Sequence, residues 1–132
     1  MGAPSMNFID TTYDKNALSF EGTDTAIQLN KKQSDALEKY LSEFDEEKRK
    51  SVKFVYGIRP EDIVLSDKGE EVKITLIEML GCEYIVHFLF GGKDFTIKLP
   101  SKSEVDGLET IKIEFTNSMS HLFDKDSEKA IY

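Results

Sequence analysis

The feature that most constrains this chain is an apolar alternation of period two, repeated five times between residues 52 and 115. Val52, Phe54, Tyr56 and Ile58 form the first row. Val72, Ile74 and Leu76 form the second, with Lys73 and Thr75 between them. Tyr84, Val86, Phe88 and Phe90 alternate with Ile85, His87 and Leu89, a run apolar enough to predict burial on both faces. Phe95, Ile97 and Leu99 follow, then Ile111, Ile113 and Phe115. Successive side chains of a strand point to opposite faces, so such rows predict half-buried strands. Their β-branched and aromatic residues suit a pleated surface. Leu80-Gly81 and Gly91-Gly92-Lys93-Asp94 punctuate the rows as turns, the second a hairpin signal.

The first thirty residues give three shorter strands, Asn7 to Tyr13, Ala17 to Phe20 and Thr25 to Leu29. Asp14-Lys15-Asn16 and Glu21-Gly22-Thr23-Asp24 are the turns between them. The period then changes. Leu37, Tyr40, Leu41 and Phe44 fall on one helical stripe, predicting a single amphipathic helix over about 31–45. Asn30 is placed to cap it, with Gln33 completing a capping box. The mixed run from Glu43 to Lys50 reads as its solvated, basic end. The expected fold is mainly β: one domain over 1–132, seven to nine short strands and one helix, a sandwich or small barrel. Residues 45–51 are the only candidate sub-boundary.

Charge excludes several functions. Seventeen basic against 25 acidic residues leave a net charge of −8. That opposes phosphate neutralisation on nucleic acid and docking on an anionic membrane. The single cysteine, Cys82, excludes an intrachain disulfide and any C-x-x-C site, and suits a reducing compartment. Tyr84 to Phe90 is far short of the ~18–20 residues of a membrane helix. Met1-Gly2-Ala3-Pro4 has no charged or apolar leader region, so no signal peptide is expected.

No catalytic, cofactor or metal constellation emerges. The nearest approach to a phosphate loop is Gly92-Lys93, but His87 stands where the first glycine belongs and Asp94 where a hydroxyl is needed. His87 and His121 are too few for a usual zinc site, and His87 reads as a satisfied, partly buried strand residue. Cys82 has no identifiable activator. Glu61-Asp62 and Glu70-Glu71 are pairs any acidic chain offers. The aromatics fall on strand periods that a core explains.

One phrase has a compact physical reading. In Gly57-Ile58-Arg59-Pro60-Glu61-Asp62-Ile63 a strand ends at Ile58 and Pro60 can open a helical turn. Glu61 and Asp62 then meet its exposed amides. Arg59 is either tied to a carboxylate or carbonyl or contacts a partner.

The same phrase resembles a signature in the C-terminal regulatory part of ATP-binding subunits of sugar-type ABC importers, the maltose and glycerol-phosphate transporter branch. Three further segments are similar to that family in its order: Gly2-Ala3-Pro4-Ser5-Met6-Asn7-Phe8, Ile77-Glu78-Met79-Leu80-Gly81-Cys82-Glu83, and His121-Leu122-Phe123-Asp124 followed by Ala130-Ile131. The chain departs from it in Asn117-Ser118-Met119-Ser120, where a Gly or Pro is usual, and in a longer helix.

The resemblance implies an OB-like (MOP/TOBE-type) barrel of short antiparallel strands. It implies a non-catalytic regulatory and dimerisation domain, one module of a longer chain whose ATPase domain, with its Walker motifs, ATP and magnesium, lies elsewhere. The implied partners are a second copy, the chain's own ATPase domain, the transporter's membrane subunits and a regulatory protein, with no nucleic acid. The implied location is the cytoplasmic face of the cell membrane. Gly57, Arg59, Pro60, Glu61, Gly81, Phe123 and Asp124 are the candidate contact and motif residues. Two other readings remain open: an oxyanion-binding module, for which Ser101, Lys102 and Ser103 offer donors, and an OB-type oligonucleotide binder.

Overall fold

The computed structural model describes residues 6–101 and 105–132. Gly2, Ala3, Pro4 and Ser5 of the first family phrase, and Lys102 and Ser103 of the oxyanion reading, lie outside the described residues. The chain is mainly β, with nine strands and two α-helices among those residues. In order these are β1 (Asn7–Asp14), β2 (Ala17–Phe20), β3 (Ala26–Gln28), α1 (Lys31–Leu41), α2 (Glu46–Ser51), β4 (Phe54–Ile58), β5 (Ile63–Leu80), β6 (Glu83–Phe90), β7 (Lys93–Pro100), β8 (Thr110–Phe115) and β9 (His121–Asp124). Two compact units result. One comprises Met1–Asn7 and Ile58–Thr116; the other comprises Phe8–Gly57 and Asn117–Tyr132.

The unit containing the N-terminal hairpin is built on a five-stranded sheet of order β3-β2-β1-β4-β9. Asp14 pairs with Ala17 across a two-residue turn in which Lys15 and Asn16 both take positive φ, 49° and 66°. That is the handedness a tight hairpin needs. Leu18, Phe20, Leu37, Phe54, Tyr56 and Leu122 are buried and form its core. Phe20 meets Tyr56 edge to face at 4.9 Å.

The capping box forms as read from the sequence. Gln33 N–H donates to Asn30 Oδ1 at 2.8 Å, and Asn30 N–H donates to Gln33 Oε1 at 3.2 Å. The helix boundary differs from the expectation. α1 stops at Leu41, and a second helix starts at Glu46. Asp45 is the reason: its carboxylate accepts from the Lys48 amide at 2.7 Å. With Glu46 and Glu47 in its first turn and Lys48, Arg49 and Lys50 in its last, the mixed run satisfies a helix of its own.

The other unit carries a four-stranded sheet of order β7-β6-β5-β8. β6 and β7 form the expected hairpin, closed by Gly91 and Gly92 at φ of 59° and 75°. Val86, Phe88, Phe90, Phe95, Ile97 and Ile113 fill the core. Phe90 and Phe115 meet at 5.2 Å. β6 is not buried on both faces: Val86, Phe88 and Phe90 are buried, but Leu89 is 44% exposed and Ile85 and His87 are only half-covered. The sheet has one covered face, and the apolar residues on the other are surface.

The half of β5 before Val72 is not legible as strand in the sequence. Both Leu65 and Glu70 stand opposite Ile113 of β8, so residues 66–69 bulge out of the ladder. Gly69 permits this, because a Cβ there would lie 2.2 Å from the Ile113 carbonyl oxygen. β7 is an edge strand, and Asn7 closes part of that edge. Its side chain donates to the Thr96 carbonyl at 2.9 Å and accepts from the Thr96 amide at 2.8 Å. A buried side-chain amide thus stands in for a neighbouring strand.

Replacing Gly69 by Ala should force the bulge apart. The expected cost is about 1–3 kcal/mol in chemical denaturation, with loss of amide protection at Ile113. An unchanged midpoint would mean that the ladder gives way locally without cost.

Candidate functional site

The residues singled out in the sequence fall at three places. The first is the turn after β4. Arg59 precedes a 3-10 turn, Pro60–Asp62, with Pro60 at its first position and the Asp62 amide donating to the Arg59 carbonyl at 2.9 Å. Pro60 is buried, while Arg59 and Glu61 are exposed on either side of it. The Thr116 amide donates to the Asp62 carbonyl at 2.9 Å, fixing the turn to the end of β8. The proline anchors the turn, and the two charged side chains are what it presents.

The second place is the ladder between β4 and β9. Gly57 pairs with His121, Val55 with Phe123 and Phe54 with Asp124. The fold therefore brings the beginning of the first phrase against the last one. Phe123 is half-buried, its ring 6.0 Å from that of Phe8. Asp124 is buried, 6% exposed, and fully engaged. Its carboxylate accepts from the Tyr40 hydroxyl, from the Asp126 amide at 2.9 Å and from the Ser127 amide at 3.3 Å. Burial alone would raise the Asp124 carboxyl; the Tyr40 hydroxyl and the two amides outweigh it and hold the group below its ordinary value. Asp124 is a cap that turns the chain after β9 and ties it to α1. Beyond that turn Ile131 donates to the Leu122 carbonyl at 2.7 Å, which explains the Ala130-Ile131 ending.

The third place is the tip of the β5–β6 hairpin. Gly81 and Cys82 form its two-residue turn, both exposed. The strand leading to it carries Leu76, Met79 and Leu80, more than half exposed. One polar cluster crosses the same face. His87 on β6 lies between Glu78 of β5, 2.5 Å from Nε2, and Asp94 of β7, 3.4 Å from Nδ1. Burial alone would lower the imidazole; the hydrogen bonds and charges of Glu78 and Asp94 outweigh it and raise its pKa. The two carboxylates sit on opposite ring nitrogens, so the cluster is a cross-strand brace and not a ligand set. Lys98 pairs with Glu83 at 3.3 Å on the same three strands.

Sequence reasoning misses the residue that locks the atypical segment before β9. Asn117 accepts from Tyr56 at 3.2 Å and Ser120 at 3.0 Å, and exchanges two hydrogen bonds with Gln33 at 2.8 and 2.9 Å. Gln33 thus serves both the capping box and this knot. Its capping role is legible in the sequence; the second partner is 84 residues away and is not.

Known proteins are similar to this chain over nearly its whole length. Residues 2–63 match the model of the MalK OB fold domain. Over that stretch the chain is similar to the OB fold domain of MalK. The multiple sugar-binding transport ATP-binding protein MsmK of Streptococcus mutans is 26% identical over 140 residues, covering 99% of this chain and 35% of its own length. The trehalose/maltose import ATP-binding protein MalK of Thermococcus litoralis is 28% identical over 144 residues, covering 100% of this chain and 36% of its own. YcjV, an ABC transporter ATP-binding protein of Escherichia coli, is 29% identical over 138 residues, covering 99% of this chain and 35% of its own. The chain spans about a third of the length of the curated relatives it matches. No helix among the described residues is long and apolar enough to cross a membrane.

Two outcomes test the site's electrostatics. Asp124→Ala should cost about 1–3 kcal/mol in thermal or urea unfolding, since it strands a hydroxyl and two amides. The lowered pKa means that this stabilisation is present above the unfolded carboxylate value of ~3.9 and is lost as pH falls through the folded value below it. His87 has the opposite sign. Its brace contributes fully below the unfolded imidazole value of ~6.5 and is lost as pH rises through the raised folded value. An NMR titration should place the His87 midpoint above that of the free imidazole, and Glu78→Gln should bring it down; an unchanged midpoint in the variant would exclude the brace.

Proposed function

We propose that this chain is the non-catalytic regulatory and dimerisation domain of an ATP-binding subunit that drives carbohydrate import. What supports the reading is the match of residues 2–63 to the MalK OB fold together with relatives named as sugar-transport ATP-binding proteins that align over virtually the whole chain. In that setting the ATP and magnesium chemistry belongs to a separate ATPase domain. The OB domains of two subunits hold each other while the ATPase halves open and close. A symmetric contact buries the same patch on each copy. A regulatory protein or solute that prefers the open arrangement lowers transport by shifting the population away from hydrolysis. The exposed charges Arg59 and Glu61 and the tip at Gly81 are the surfaces we assign to such partners. The subunit works peripherally on the cytoplasmic face of the membrane, through the transporter's membrane subunits.

Size-exclusion chromatography with light scattering tests the dimer: the expected mass is twice that of the chain, falling towards one chain on dilution. A monomer at the highest soluble concentration would remove the dimerisation role. The chain alone should show no ATP turnover, and measurable hydrolysis would sink the whole reading. Molybdate or sulfate should leave the melting temperature unchanged, because a ligand that binds only the folded state must raise it.

A further inference from the structure

We propose that the open edge of β5 from Leu76 to Leu80 pairs antiparallel with the same edge of a second copy of this chain, about a two-fold axis through Glu78. This rests on the dimerisation reading above and names the surface that would carry it.

The edge is open because β5 outruns its neighbour. β8 accompanies β5 only as far as Lys73, opposite Thr110, and the Ile74 amide then bonds the Glu109 carbonyl. β6 continues on the other side to Leu80, opposite Glu83. Among the described residues no strand lies against the second side of Leu76–Leu80. In a ladder the N–H and C=O groups of alternate residues point to each side, so this stretch presents unpaired backbone groups.

The side chains there are those of a strand meant to be covered. Leu76 is 54% exposed, Met79 61% and Leu80 51%. Leu76 and Leu80 lie on one face and Met79 on the other, as the register with His87, Glu83 and Tyr84 requires. Open edges are ordinarily guarded by charge, proline or a bulge. The one charge here, Glu78, does not guard it. Its carboxylate is drawn across β6 to His87 at 2.5 Å, away from the open side.

The occupant is read from the strand's own symmetry. Leu76-Ile77-Glu78-Met79-Leu80 has the same polarity in both directions. A two-fold axis through Glu78 sets Leu76 opposite the partner's Leu80 and Ile77 opposite the partner's Met79. Apolar then meets apolar at every position but the centre. An isologous contact needs such self-complementarity. A chain of net charge −8 also needs a contact where approach is not repelled. On this face His87 offsets part of the charge of Glu78 and Asp94, and Lys98 pairs with Glu83. The two Glu78 side chains meet at the axis, each already hydrogen-bonded to its own His87.

Cross-linking across the axis tests the pairing. In the full chain with Cys82→Ser, Glu78→Cys places two thiols in directly opposed strand positions, where Cβ atoms approach to about 4.5–5.5 Å. Mild oxidant should yield a disulfide-linked dimer, whereas Glu128→Cys in the same background should not. Separately, Leu76→Lys should weaken the dimer by at least about 10-fold in sedimentation equilibrium. Its melting temperature at low concentration should be unchanged, which shows that the variant still folds. If the wild-type chain dimerises, Leu76→Lys leaves the constant unchanged and the Glu78→Cys variant stays unlinked, the edge is not the contact although the dimer reading stands. If the wild-type chain is a monomer and the Glu78→Cys variant stays unlinked, both fall.

Discussion

β5 is longer than anything available to pair with it, and the architecture of its unit follows from that mismatch. At about 3.3 Å per residue, an 18-residue strand runs far past a six-residue neighbour. The excess has two outlets. Near the start it leaves the ladder as a bulge between Leu65 and Glu70, feasible because Gly69 lets the backbone approach the Ile113 carbonyl. Near the end it overhangs, with β6 on one side only. The bulge is a local solution and needs one glycine. The overhang leaves backbone groups and apolar side chains in water, and a folded chain alone does not resolve it. This overhang is the feature on which the proposed pairing rests.

The other unit faces a different constraint, the burial of polar groups. Gln33, Ser120 and Asp124 are each at most 6% exposed. A buried donor or acceptor left without a partner costs about 1–3 kcal/mol. Gln33 and Ser120 find partners in Asn117, whose amide receives and returns hydrogen bonds. Asp124 closes the loop after β9. These knots join α1 to the segment before β9 and to the turn after it. The sequence separation is 84 residues in both cases. Such long-range polar contacts fix one arrangement of helix against sheet, where apolar packing alone tolerates several.

What can be read in advance follows the same division between local and distant. The five period-two rows all form strands, because alternation needs only one buried face. The Asn30–Gln33 capping box is legible because both partners lie within one helical turn. Asp45 is as local a signal, but a single longer helix absorbs it on paper, because the basic run after it looks like an end and not a new beginning. The first half of β5 is illegible because the polar run Ser66-Asp67-Lys68-Gly69-Glu70-Glu71 carries no apolar alternation, and only pairing with β8 on either side of the bulge marks it as strand. β9 stands out as a phrase and not as a strand, since four residues carry too little periodicity. β6 invites overreading: its second apolar face is exposed, and apolar composition by itself does not distinguish a core from a contact surface.

The candidate site residues sort by burial in a way that sharpens the family resemblance. Gly57, Pro60 and Asp124 are buried, and their work is internal: a ladder position, an anchored turn and a carboxylate cap. A phrase built from such residues is specific because the backbone demands it, so it reports a fold faithfully and a partner hardly at all. Arg59 and Glu61 are exposed charges, and Gly81, at φ of 61°, is the exposed turn of the hairpin tip. Between them they offer two opposite charges and one tip. None of the three carries a large apolar side chain, whereas hot spots at interfaces are large side chains that desolvate well. The apolar residues that could supply that energy, Leu76, Met79 and Leu80, stand close to Gly81 on the same hairpin. A partner that used only the motif charges would bind weakly and with strong salt dependence, while one that used the β5 edge would bind through backbone pairing and apolar burial and resist salt.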